Sequence, residues 1–255
     1  MFEIMRKIWI LSIIVAIIVI LTLVTYPSIY SSKPQLGKFF KVSDKDYAPP
    51  GKIVIWFITW VGCPVGASDS WILYGYFKAN GINVNLTFHY TNPNDRVGPL
   101  PGILFANGIP TTCVPYNYSS QNVLFSVCYL MNEYFNATPN GIPVPPNEIL
   151  NTEISEMRQV LPQWVYNLVY YYNVKEPFNI NGKSIPPAEY VFPHHIISTI
   201  IISGKGGTWM IIGPMYNITA LKGLTYDYVL QHLYEFSWYN SSYQELSQII
   251  SLAEG

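Results

Sequence analysis

Residues 60–71 read WVGCPVGASDSW, and their neighbours on both sides set how they must fold. Upstream, KIVIWFITWVG (52–62) is a continuous apolar run, short enough for a buried strand. CPVGASDS then reads as a turn in which Ser68 is placed to cap a helix. WILYGYFKANG follows as that helix, with Gly81 after its last turn as a stop. INVNLTFHY resumes a β pattern with Val84, Leu86 and Phe88 on one face. Strand, turn, helix and strand make a βαβ unit with Cys63 at the start of its helix. Free N–H groups and the helix dipole at such a site lower a thiol's pKa. A thiol–disulfide enzyme keeps its nucleophile at this place, but Gly66 stands where a Cys-x-x-Cys motif would close.

The C-terminal half carries a second pattern. Pro193 precedes HHIISTIIIS (194–203), a strand; GKGG is a hairpin turn; TWMIIG (208–213) is the returning strand, ended by Gly213. LTYDYVLQHLYEF (224–236) then offers Leu224, Tyr228 and Leu233 as one face of an amphipathic helix. Between the two patterns lies a helical-looking insert, about 147–173, capped by Asn147 and ending in the Tyr-rich run WVYNLVYYY. Its aromatic residues read as a packing face rather than a ligand platform.

The N-terminus sets the compartment. Ile8–Thr25 is an uncharged run in which thirteen of eighteen residues are Ile, Leu or Val. Eighteen helical residues span about 27 Å, close to the roughly 30 Å hydrocarbon core. Signal-peptide apolar stretches are shorter and end in small residues, whereas TYPSIYSS offers a poor cleavage site. The run is therefore read as an uncleaved transmembrane anchor (8–26), with residues 1–7 as a short cytoplasmic N-terminus. Arg6 and Lys7 hold that N-terminus inside, although Lys33, Lys38 and Lys41 weigh the other way. Residues 27–50, rich in Pro, Ser and Lys, read as a linker, and 51–255 as one extracytoplasmic domain. Asn-x-Ser/Thr triplets at Asn85, Asn117, Asn136, Asn217 and Asn240 all lie on the proposed outer side and are candidate glycosylation sites, Asn136 less so because Pro139 follows its triplet.

Composition narrows the partners. Only 11% of residues are charged, net charge is −1, and Tyr numbers 21; typical domains carry about 25% charged residues. No basic stripe marks a nucleic-acid surface. Cell exteriors permit disulfides, and Cys113 and Cys128, fifteen residues apart in a turn-rich stretch, are candidates for a bridge that would contribute roughly 3 kcal/mol. That pairing leaves Cys63 odd, but three cysteines allow three pairings. His194 and His195 are adjacent and so face opposite ways on a strand, and no metal site is read. No cofactor motif stands out.

CPVGASDSW, SSQNVLFSVCYLMNEYFN and TWMIIGPMYNITALKGLTYDYVLQHL resemble the archaeal family catalogued as domain of unknown function 929, whose members are similar to thioredoxins. The resemblance implies an α/β, thioredoxin-like fold with the helical insert, behind the membrane anchor. Family members often carry Cys-Pro-x-Cys followed by Ala and a Trp five positions beyond the second Cys. Cys63, Pro64, Ala67 and Trp71 match, and Gly66 replaces the resolving cysteine. The resemblance also implies that Pro193 is a cis-proline beside the active loop. Two functions stay open. One is a membrane-anchored extracytoplasmic module without a complete dithiol site, acting as a binding or structural component of a surface or membrane complex, with a protein partner or an extended peptide paired beside the proline. The other is a one-cysteine thiol–disulfide oxidoreductase whose Cys63 thiolate attacks and an external thiol resolves. An exposed Cys63 sulfur would favour the second, a buried one the first.

Overall fold

The computed structural model describes residues 33–255, and Pro34–Gly255 form one compact unit. The anchor reading of Ile8–Thr25 lies outside the described residues; among those described, no helix is long and apolar enough to cross a membrane.

A six-stranded mixed sheet organises the unit. Its strands are β1 (Phe40–Ser43), β2 (Ile53–Thr59), β5 (Tyr116–Ser119), β6 (Val123–Tyr129), β9 (Thr199–Gly204) and β10 (Gly207–Ile212), in the order β1-β10-β9-β2-β6-β5. At the centre β2 runs parallel to β6, with Ile53 opposite Val123 and Thr59 opposite Tyr129. On its other side β2 is antiparallel to β9, with Ile58 opposite Thr199. All seven residues of β2 are buried. That is why its sequence runs apolar without alternating: a strand covered on both faces has no polar side.

Helix α1 (Pro64–Ala79) follows β2 directly and packs one sheet face together with the terminal helix α6 (Ser237–Glu254). There Phe77 meets Phe125 and Phe105 at ring-centroid distances of 4.5 and 5.7 Å. Trp71 is fully buried and donates its indole N–H to the Pro101 carbonyl at 2.9 Å. The opposite face is covered by α2 (Ile149–Val160) and α3 (Gln163–Tyr170), whose Met157, Val165 and Val169 pack against Trp56, Ile58, Ile201 and Met210. A π-helical turn, Tyr171–Lys175, closes this layer, followed by the hairpin of β7 (Phe178–Ile180) with β8 (Lys183–Ile185) and the short α4 (Pro187–Tyr190). The insert thus supplies a second helical layer, and its Tyr166 is core while Tyr171 is exposed.

Several expectations are corrected. The helix begins at Pro64, not after Ser68: Cys63 is its N-cap, and the Ser68 hydroxyl instead donates back to the Val65 carbonyl. The strand after α1 does not complete the crossover. Thr87–Tyr90 (β3) pairs only with Pro101–Leu104 (β4) in a separate ribbon, and the parallel partner of β2 is β6. The stretch read as a linker contains edge strand β1, held because Phe40 buries its ring against Tyr172 and Phe178. Asn147 does not cap the insert; it sits in a 3-10 turn, and α2 starts without a side-chain cap bond. The expected terminal helix is a short one, α5 (Tyr226–His232), followed by the longer α6. The hairpin of β9 and β10 turns at Lys205–Gly206, within the GKGG stretch.

Candidate functional site

Strand β2 ends at Thr59, and four residues later Cys63 caps α1 with extended backbone, φ −68° and ψ 122°. Its sulfur accepts the Gly66 N–H at 3.2 Å, the bond that an N-cap side chain makes to the first free donors of a helix. The same sulfur lies 3.1 Å from Ser198 Oγ, and Ser198 Oγ lies 2.6 Å from Thr59 Oγ1. The register of β2 against β9 causes this meeting: Ile58 faces Thr199, so the last residue of β2, Thr59, and the residue just before β9, Ser198, come together.

Cys63 is 5% exposed. Burial pushes its pKa up, and the bonds from Ser198, Gly66, Thr59 and Val65 only offset that rise. The helix terminus favours a thiolate, but loss of water disfavours it more, so the sulfur stays a neutral S–H.

Gly66 explains why no second sulfur fits. A Cβ built there would stand 2.3 Å from Thr59 Oγ1 and 3.2 Å from Cys63 Cβ. Disulfide Cβ atoms lie about 3.5–4.5 Å apart, so the spacing to Cys63 is nearly right, but the Thr59 hydroxyl already occupies the space. A bed of two hydroxyls lies where a Cys-x-x-Cys pair would need room.

A cover seals the sulfur from the outside. After β6 the chain turns back across the Cys63 loop, and Met131, Val144 and Ile149 pack with Trp60 and Cys63. Val61 N–H donates to the Met131 carbonyl at 3.1 Å. The two segments approach so closely that a Cβ on Gly62 would stand 2.0 Å from the Glu133 carbonyl oxygen. Phe135 completes the cover, stacked on Trp60 at 4.3 Å and edge-on to His195 at 4.9 Å. Phe135 reaches this place with φ +58°, a left-handed conformation that costs an aromatic residue on the order of 1–3 kcal/mol. His89, also buried, shares a hydrogen bond with the Val61 carbonyl at 3.0 Å, and burial lowers its pKa, so it is a neutral prop beneath the loop.

The Phe192–Pro193 peptide is cis. Yet the residue of this segment that touches Cys63 is Ser198, five positions further on. The chain between them is clamped by the insert. Glu153 of α2 accepts the Ile196 N–H at 2.7 Å, and Asn173 of the π turn accepts the Ile197 N–H at 3.1 Å. Asn173 also donates to Thr199 Oγ1 at 3.1 Å. Both clamps are fully buried, and the second Glu153 oxygen has no partner. Burial pushes the Glu153 carboxyl well above the usual carboxylate range, so it is held as the neutral acid.

The other thiols are separate from this place. The Cys113–Cys128 bridge is not made; all three cysteines are free. Cys113 donates to Glu156 Oε2 at 2.5 Å, and the buried Cys128 thiol donates to the Cys113 carbonyl at 2.9 Å. The sulfur of Cys113 is thus engaged by α2, while that of Cys128 faces the main chain of residue 113. Among the sequon residues, Asn85, Asn117, Asn136, Asn217 and Asn240 are all exposed, although the Asn240 triplet sits within α6 with Ser242 buried. Among the described residues no group of three or more His, Cys, Asp or Glu could hold a metal ion.

Sequence reasoning missed Thr59, Ser198, Glu153, Asn173 and Asp69. Asp69 is buried in α1, accepts the Met215 N–H at 3.0 Å, and burial pushes its pKa up to about 8. An acid in the middle of an apolar helix was the one visible signal among these; the others depend on pairings distant in sequence.

No curated protein and no solved structure matches the chain. One family model does, over residues 38–253, from edge strand β1 through the terminal helix, and so it takes in the Cys63 loop, its cover and its clamps. By that match the chain belongs to the family described as domain of unknown function (DUF929).

Proposed function

We propose that this protein is a membrane-anchored, extracytoplasmic, thioredoxin-like module that does not carry out dithiol exchange and serves as a binding or structural component of a surface or membrane complex. The fold reading is supported by connectivity. A parallel pair joined through α1 sits beside an antiparallel hairpin and a terminal helix, with a cis-proline ahead of the hairpin. The loss of chemistry is carried by one observation: the Cys63 sulfur is buried, neutral and hydrogen-bonded to Ser198, beside a Gly66 whose side-chain space Thr59 fills. Exchange needs an accessible thiolate and a second thiol to release the mixed disulfide, and both are lacking. This weighs against the one-cysteine oxidoreductase alternative as well. The Ile196 and Ile197 amides are held by Glu153 and Asn173, which counts against an extended peptide pairing with that stretch; a partner would bind elsewhere. The anchor reading rests on the Ile8–Thr25 composition, and the outer location is supported by the five exposed sequon asparagines.

A disulfide-reduction assay on the purified full chain, with a dithiol reductant as electron source, tests the reading. Turnover no faster than the uncatalysed rate is expected. Catalysis lost on Cys63→Ser would establish the oxidoreductase instead.

A further inference from the structure

Single exposed apolar side chains are ordinary on protein surfaces. Nine large ones are exposed among the described residues, and the most exposed of them share one end of the sheet. Among the described residues, the three most exposed large apolar side chains are Phe192 at 82%, Ile142 at 59% and Val114 at 57%. All three lie at the Cys63 end of the sheet. Phe192 precedes the clamped segment that delivers Ser198 to Cys63, and its ring meets His194 at 6.2 Å. Ile142 belongs to the cover, its carbonyl accepting the Thr138 N–H. Val114 follows Cys113, whose carbonyl accepts from Cys128 near the end of β6. Tyr134, 53% exposed, stands on the cover beside Phe135.

The described chain also enters the fold at this end. Gly37 N–H donates to the Ile212 carbonyl, and β1 runs away from there antiparallel to β10. The loop that follows β10 is in turn held to the first turns of α1 by Asp69 and Met215. Upstream, Lys33 is only eight residues beyond Thr25, the end of the uncharged apolar run. That connection spans at most about 28 Å when fully extended. A chain that leaves a bilayer there has this end of the domain within reach of the lipid surface.

We infer that the rim formed by Phe192, Ile142, Val114 and Tyr134 docks on the lipid surface, inserting apolar side chains at the headgroup boundary. The inference rests on the anchor reading of Ile8–Thr25. Apolar side chains on a polar, weakly charged domain suit the interface, and the Tyr134 ring adds a hydroxyl that can stay wet while its body is buried. Docking would also add a second cover over the Cys63 loop.

The full chain is reconstituted in phosphatidylcholine vesicles containing a phospholipid with a photoactivatable diazirine on its acyl chain, and the lipid adducts are mapped by mass spectrometry. Adducts are expected on the peptides carrying Phe192 and Tyr134–Ile142 as well as on Ile8–Thr25. The double variant Phe192→Ser, Ile142→Ser is expected to lower the rim adducts about tenfold and leave those on Ile8–Thr25 unchanged. Adducts confined to Ile8–Thr25 would overturn the docking while leaving the anchor intact. Rim adducts without any on Ile8–Thr25 would support docking and sink the anchor.

Discussion

The surroundings of Cys63 and of Cys113 invite opposite first readings, and the structure overturns the one for Cys63. Cys63 sits at a helix N-terminus, the position associated with a reactive thiolate, but it is buried under Trp60 and Phe135 and remains a neutral S–H. Cys113 lies in a turn-rich loop with no activating motif and is only partly buried. Its pKa is pushed up to about 11 by burial and by the Glu156 carboxylate to which it donates. Neither thiol is activated, but only Cys113 meets solvent. The lesson is that a helix dipole sets the direction of one contribution, whereas access to water decides the sum.

The largest way to break that contrast is to remove the cover. Trp60→Ala deletes the buried ring stacked under Phe135 and opens the route to Cys63. It should lower unfolding free energy by about 3–5 kcal/mol, read by urea denaturation. A loss below about 1 kcal/mol would mean that the cover is not packed as described.

The two buried acids give the fold a pH-dependent contribution. Asp69 has a folded-state pKa raised to about 8 from an ordinary 3.8, and Glu153 is raised too. Between those values the native state holds a proton that the unfolded chain has released. The contribution of these two acids therefore falls as pH rises from about 4 towards 8, by at most about 1.4 kcal/mol per unit for each group, while the buried His89 and His195, whose pKa values are lowered, contribute in the opposite sense on the acid side. Asp69→Asn should flatten the slope measured between pH 5 and 7. A slope unchanged by that variant would show that Asp69 is ionised in the native state.

The smallest expected effect sharpens the comparison most. Gly66→Cys alone places a Cβ against the Thr59 hydroxyl and should cost about 1–3 kcal/mol. Its new thiol should stay reduced. Adding Thr59→Ala frees the space, and the double variant should form a bond between residues 63 and 66 under mild oxidation, detected as a loss of two mass units. A bond in the single variant would show that Thr59 yields easily. The absence of a bond in both would show that the loop is not poised for a disulfide.

Much of the frame was legible because local patterns carried it. The seven buried residues of β2, the GKGG turn and the apolar pair of hairpin strands all announce themselves within a dozen residues. What was not legible depends on register or on distant chain. Ser198 meets Thr59 only because β9 pairs with β2 in one particular register. Edge strand β1 is four residues long in a Pro- and Lys-rich stretch, and its stability comes from Phe40 reaching Tyr172 and Phe178. The parallel partner of β2 lies beyond β3, β4 and β5, so the nearest β pattern after α1 misled. Glu153 and Asn173 look like ordinary polar positions in the insert until the Ile196–Thr199 segment is laid between them.

The central claim is that Cys63 is shut away although it stands at an activating position. Pulsed alkylation of the native full chain with iodoacetamide, with each cysteine followed by peptide mass mapping, tests it most directly. Cys113 should be modified at least about a hundredfold faster than Cys63, whose labelling should wait for opening of the fold. Both should react alike once the chain is unfolded in urea. Labelling of native Cys63 as fast as that of Cys113, rising with pH as a thiolate forms near neutrality, would contradict the account.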